Sequence, residues 1–152
     1  MKIKLLLLIF SIASISLFLF PPRLYTPKEK NNGEKIIKLG RAEITVEVAD
    51  TEWERSQGLS GRTSLLRNQG MLFVFPQKSR YSFWMSDMKF PLDFIWIDGY
   101  KVVEITYDVP YPKNGESPIT IAPKAPADKV LEVNAGVASA AGVKVGDQIG
   151  GL

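Results

Sequence analysis

The sequence predicts a mainly β domain of α+β class: one compact, part-closed barrel or sandwich of short strands with two short helices. Three observations carry this. Short apolar segments recur along the chain with a period of two, not 3.6. They are separated by Gly, Pro and Asp-Gly turn signals. The chain has 152 residues, 45% hydrophobic and 23% charged, enough for one core and one domain.

Met1 to Phe20 is expected to direct the chain to a membrane. Lys2 and Lys4 precede the apolar run Leu5–Phe20, which is shorter than the ~20 residues of a full span and suits a signal peptide. No small-x-small cleavage site follows it, only Pro21, Pro22, Arg23, Leu24 and Tyr25, which favours an uncleaved anchor. Either route places the rest of the chain outside the cytoplasm. Lys2 and Lys4 argue for a cytoplasmic N-terminus, although Arg23, Lys28 and Lys30 weaken the charge contrast. Residues 21–35, rich in Pro, Lys, Asn and Glu, read as a flexible tether.

The domain is expected over residues 36–152. In Arg41–Asp50, Ala42, Ile44, Val46 and Val48 alternate with Glu43, Thr45 and Glu47, marking a strand with one wet face. Thr51-Glu52-Trp53-Glu54 is a capping-box pattern for a short helix that ends near Gln57 at Gly58. Strands are expected at Met71–Phe75, Tyr81–Ser86 and Leu92–Ile97, then Lys101–Tyr107 after an Asp98-Gly99 hairpin turn. Beyond the Pro-rich stretch 110–126, with a short edge strand at Ile119–Ile121, come a strand at Val130–Val133 and a small helix at Val137–Ala141. Gly142 closes that helix, and Val145–Ile149 ends the domain.

An ordered set of motifs spans about residues 38–150. It comprises Gly58-Leu59-Ser60-Gly61-Arg62, Gly70-Met71-Leu72-Phe73-Val74-Phe75-Pro76, Phe83-Trp84-Met85, Pro91-Leu92-Asp93, Leu131-Glu132-Val133-Asn134-Ala135-Gly136 and Gly146-Asp147. The set resembles the domain-of-unknown-function 192 family. The resemblance implies a compact, barrel-like β domain, often exported, and no established activity. Ser60 stands where the family usually has Met, and Ser86-Asp87-Met88 stands where Lys-Asn-Thr is common.

The chain contains neither Cys nor His. Thiolate nucleophiles, disulfides, imidazole bases and Cys/His zinc sites are therefore excluded. No cofactor is expected. The net charge of +3 is lopsided: residues 1–35 carry six Lys/Arg and two Asp/Glu, whereas the rest carries 13 against 14. A near-neutral domain lacks the basic face that nucleic acid requires, so no nucleic-acid partner is expected.

Three residues are candidates for ligand binding: Arg62, Trp84 and Asp93. Trp84, flanked by Ser82 and Ser86 on its strand face, suits a stacking platform for a sugar or peptide; the alternative is a core Trp with a bonded indole N–H. Asp93 lies in a strand apolar on both faces, where a carboxylate costs several kcal/mol, of order 2–7, unless it is partnered. The expected partner is Arg62, forming a clasp between the loop after the first helix and the central hairpin. Without a cation, Asp93 becomes a candidate proton donor. Asp87, Asp93 and Asp98 match no calcium-loop spacing, so no metal site is expected. Glu132, between Leu131 and Val133, is expected to face solvent or a loop amide.

These readings point to an extracytoplasmic, membrane-tethered binding or envelope-associated module, with an enzyme less favoured. The expected partners are the membrane, through the N-terminal segment, and an unidentified small molecule, glycan or peptide. The enzymatic alternative is a carboxylate-dependent hydrolase of envelope glycans with Asp93 as acid. A third reading is a purely structural interaction domain.

Overall fold

A computed structural model describes residues 34–113 and 115–152. The expected membrane-directed segment 1–20 and the tether up to residue 33 lie outside the described residues. Among those described, no helix is long and apolar enough to cross a membrane.

The order of elements is β1 (Lys35–Leu39), β2 (Ala42–Ala49), α1 (Glu52–Gln57), β3 (Gln69–Ser79), β4 (Phe83–Trp84), β5 (Leu92–Asp98), β6 (Lys101–Val109), β7 (Thr120–Ile121), β8 (Ala127–Asn134) and α2 (Val137–Ala141). Six strands form one mixed sheet in the order β1-β2-β3-β8-β5-β6, and β4 pairs with β7 in a separate ribbon. Only β2 and β3 run parallel within the six-stranded sheet. A parallel pair needs a crossover rather than a tight turn. That crossover contains α1, which starts at the expected capping box: the Thr51 hydroxyl accepts from the Glu54 amide and the Glu54 carboxylate accepts from the Thr51 amide.

Both faces of the sheet are covered, so the central strands have no wet side. Ile44, Val46, Leu72, Ile95, Leu131 and Val133 pack under α2 on one face. Phe73, Phe94, Trp96 and Val130 pack with Leu59, Met85 and Met88 on the other. In β8 the alternation therefore separates two apolar environments, not core from water.

The sheet does not close by pairing its two edge strands. The C-terminal tail lies between them instead: Gln148 bridges to Lys101 at the start of β6, and Gly150 bridges to Lys38 of β1. The part-closed sandwich is thus completed by a segment that is not itself a strand of the sheet.

Local expectations are adjusted in several places, among them β3, expected to stop at Phe75, which runs on through Pro76 to Ser79. Lys35–Leu39 is a strand, so Lys35, expected in the tether, belongs to the first strand. The hairpin turn is Gly99-Tyr100, because Asp98 still pairs with Lys101; Gly99 takes the positive φ of 61°. The strand expected over Tyr81–Ser86 is ordered as a strand only at Phe83–Trp84.

Candidate functional site

Register places a row of side chains across one face. Glu47 of β2 lies opposite Met71 of β3, Met71 opposite Glu132 of β8, and Glu132 opposite Phe94 of β5. Directly opposed residues share a face. Glu132 thus stands between a methionine and a phenylalanine in the middle of the sheet and is only 5% exposed. That corrects the expectation of a solvent-facing Glu132.

What solvent contact Glu132 keeps is with a cleft. The cleft encloses about 270 Å³ and lies between α1 with the turn after it, β3, and the strand carrying Phe83 and Trp84. Its apolar walls include Leu59, Phe73, Phe75, Phe83, Met88 and Leu92, and its polar groups include Arg55, Ser60, Tyr81 and Glu132. Phe83 anchors the wall by edge-to-face contacts with Phe73 at 5.0 Å, Trp96 at 5.4 Å and Phe94 at 5.8 Å. Phe75 stacks on Tyr81 at 3.7 Å and carries the Arg55 guanidinium above its ring at 5.2 Å. The guanidinium also donates to the carbonyls of Asp50 and Val74, pinning α1 to β3. Gly58, at φ 50°, lies against Phe73: a Cβ there would come within 3.2 Å of the ring. The tight end of α1 is what lets the aromatic floor reach the cleft.

The electrostatics of the cleft rest on Glu132. Among the described residues its carboxyl has no hydrogen-bond or ion-pair partner. Burial alone pushes its pKa up to about 8. At neutral pH the side chain is mostly a neutral acid: an O–H donor and a carbonyl acceptor in an aromatic cleft. Carboxyls are usually buried only with partners, so this one is set apart from ordinary core chemistry.

The three residues singled out in the sequence do not form one site. Trp84 is 64% exposed and lines the cleft, which removes the alternative of a buried core Trp. Arg62 instead forms a bidentate pair with Glu47, strapping the loop after α1 onto β2. The expected Arg62–Asp93 clasp is absent. Asp93 alternates with Leu92 and Phe94 and so projects to the opposite face, where it is fully buried. Its two oxygens accept from the amides of Asp108 at 2.9 Å and Ala138 at 3.0 Å. The first amide belongs to an irregularity in the β5–β6 ladder, with Asp108 at φ 49°. The second lies in the first turn of α2, whose N-cap is Gly136 and has no side chain to cap it. Asp93 supplies that cap from another element. It reaches no ligand and no cleft, so its expected roles as a ligand-binding residue or proton donor are corrected to a structural one.

Glu132 was legible in principle. Val130, Leu131 and Val133 surround it on both alternations, the same pattern that singled out Asp93. The signal was the missing wet face of the strand, which becomes visible once β8 is known to be central.

The described residues thus form a small β-rich domain whose sheet carries on one face an aromatic-walled cleft with one acid in its described lining. It belongs to the DUF192 family, "Uncharacterized ACR", whose model matches residues 35–151. Two crystal structures are similar in fold. One, from Sinorhizobium meliloti 1021, is described as a candidate transcription regulator: TM-score 0.71 and 28% identity, covering 79% of this chain and 95% of that one. The other, from Novosphingobium aromaticivorans DSM 12444, is a protein of unknown function: TM-score 0.65 and 32% identity, covering 76% of this chain and 82% of that one. No functionally curated protein matches the sequence.

Proposed function

We propose that this domain is a binding module, held outside the cytoplasm by its N-terminal segment, that takes a small ligand or one projecting group of a larger ligand into the Glu132 cleft. The observation that carries the proposal is the unpartnered Glu132 carboxyl facing an aromatic cleft with Trp84 in its lining. A leucine there would bury more cheaply, so a lone acid suits a role in which a ligand completes its bonding. The volume, about 270 Å³, lies near the lower end of ligand sites, which start at roughly 300 Å³. It suits one sugar ring, one side chain or a short amphiphilic molecule.

The cleft supports binding better than two-carboxylate hydrolysis. Glu132 is the one acid among the described residues that line it, and glycoside cleavage in that manner needs a pair. The regulator description attaches to the Sinorhizobium protein. The near-neutral charge of residues 36–152 favours a ligand other than nucleic acid.

The test is thermal-shift screening of the full-length chain and its Glu132→Gln variant against envelope glycans, peptides and small amphiphiles. A ligand of the cleft stabilises the native chain by mass action, and the variant loses most of that shift. Ligands that stabilise both proteins equally, or none that stabilises either, would overturn the reading. A reporter enzyme active only outside the cytoplasm, fused to the C-terminus, tests the location: it should be active, and an inactive but intact fusion would count against it.

A further inference from the structure

We infer that the group recognised in the cleft is a protonated alkylamine, entering past Trp84 and placing its ammonium against the Glu132 carboxylate. The inference rests on the binding reading above and names the ligand chemistry of that same site. Two observations and one point of chemistry carry it. Neither oxygen of Glu132 has a partner among the described residues and neither is wholly shut off from solvent, so both are open to a ligand in the cleft; a carboxylate accepts several hydrogen bonds, so the complementary group is a multiple donor. An ammonium has three donors and the charge that a buried carboxylate needs. The walls are aromatic, with Phe73, Phe83 and Trp84 lining the same cleft as the acid, and aromatic rings attract cations in a site with little water.

The protein's own cations do not take this role. Arg62 is committed to Glu47. Arg55 lines the cleft from α1, but it is bonded to two backbone carbonyls and lies over Phe75. From β3 and β5 the groups nearest Glu132 in register are Met71 and Phe94, neither of which titrates. The other titratable group in the cleft lining is Tyr81, on the segment before β4. Glu47, one strand further along the row, is already paired with Arg62.

Binding an ammonium requires Glu132 to give up its proton. With the empty-site pKa at about 8, uptake of an amine near pH 7 should release close to one proton per ligand, and affinity should rise toward about tenfold per pH unit below pH 8. A free amine and a lysine side chain share this chemistry.

The experiment is calorimetric titration of the full-length chain in detergent micelles, with micelles alone as blank, in two buffers of different ionisation enthalpy. The probes are n-pentylamine, Nα-acetyl-lysine amide, n-pentanol and hexanoate, with backbone-amide spectra locating each site. The expected result is that a cationic probe binds at the cleft with proton release while n-pentanol and hexanoate bind at least tenfold more weakly. Preference for pentylamine indicates a free amine, and preference for the acetyl-lysine indicates a peptide. Glu132→Gln should abolish the proton release and the pH dependence. Trp84→Ala, at an exposed position, should weaken binding while keeping the proton release. If n-pentanol or hexanoate binds at the cleft as tightly as the amines, the binding reading stands and the ammonium inference falls. If no probe perturbs the cleft, the ammonium inference falls while the glycan and peptide screen still decides the broader reading.

Discussion

At the scale of single residues, Glu132 couples the site to stability. Its pKa rises from 4.5 to about 8 on folding, so between those values the native state holds a proton that the unfolded state has lost. Stability is therefore largest below about pH 4.5, falls as pH rises toward 8, and levels off above. At about 1.4 kcal/mol per unit, that window is worth roughly 4–5 kcal/mol. The composition makes the measurement unusually clean: with no His and no Cys, few other side chains titrate between pH 5.5 and 8. Urea midpoints of the full-length chain should fall steadily across that range, and those of Glu132→Gln should stay nearly flat. Parallel curves for the two proteins would mean that the acid is solvated and that the cleft offers no desolvated site.

At the scale of elements, Asp93 joins three of them. One carboxylate receives the amide freed by the irregular β5–β6 ladder and the amide of the first turn of α2. Asn in its place keeps one acceptor, loses the charge and turns an NH2 toward an N–H. With charge-assisted bonds worth ~1.5–3 kcal/mol each, Asp93→Asn should cost about 3 kcal/mol in urea unfolding at an unchanged slope. Because Asp93 is on the face away from the cleft, ligand affinity at the cleft should hold. A stable variant with weakened binding would reverse that assignment. The same residue marks how far the sequence could be read. The alternation in β2, the capping box of α1 and the helix at 137–141 were legible because each depends on neighbours in sequence. So was the anomaly of an acid within an apolar strand. Its partner was not, because backbone amides 15 and 45 residues away carry no side-chain signature. Glu132 was missed for a related reason: whether a strand is central or at an edge is set by sheet order, and β8 lies between β3 and β5 only through long-range pairing.

At the scale of the whole molecule, the remaining question is what protects the two edges of the sheet. Unpaired edges invite pairing with other chains, and lysines such as Lys35, Lys38 and Lys101 blunt them only in part. The tail does the rest. The Lys38 amide donates to Gly150, the Val102 amide to Asp147, and the Ile149 amide to the Tyr100 carbonyl, while the Ile149 side chain is buried in the face beneath α2. Gly151 fits this seam at φ 82°, where a Cβ would meet the Ile36 carbonyl at 2.5 Å. Two changes separate burial from edge protection. Ile149→Ala removes the side chain and keeps the backbone bridges, so it should lose about 2–4 kcal/mol without changing the sedimentation coefficient. Ending the chain after Gly146 removes both, and should also drive the protein to larger species, seen by sedimentation velocity at micromolar concentration. A shortened chain that sediments like the full-length protein and keeps its urea midpoint would show that β1 and β6 need no cover, and the sheet would then be stable as an open one.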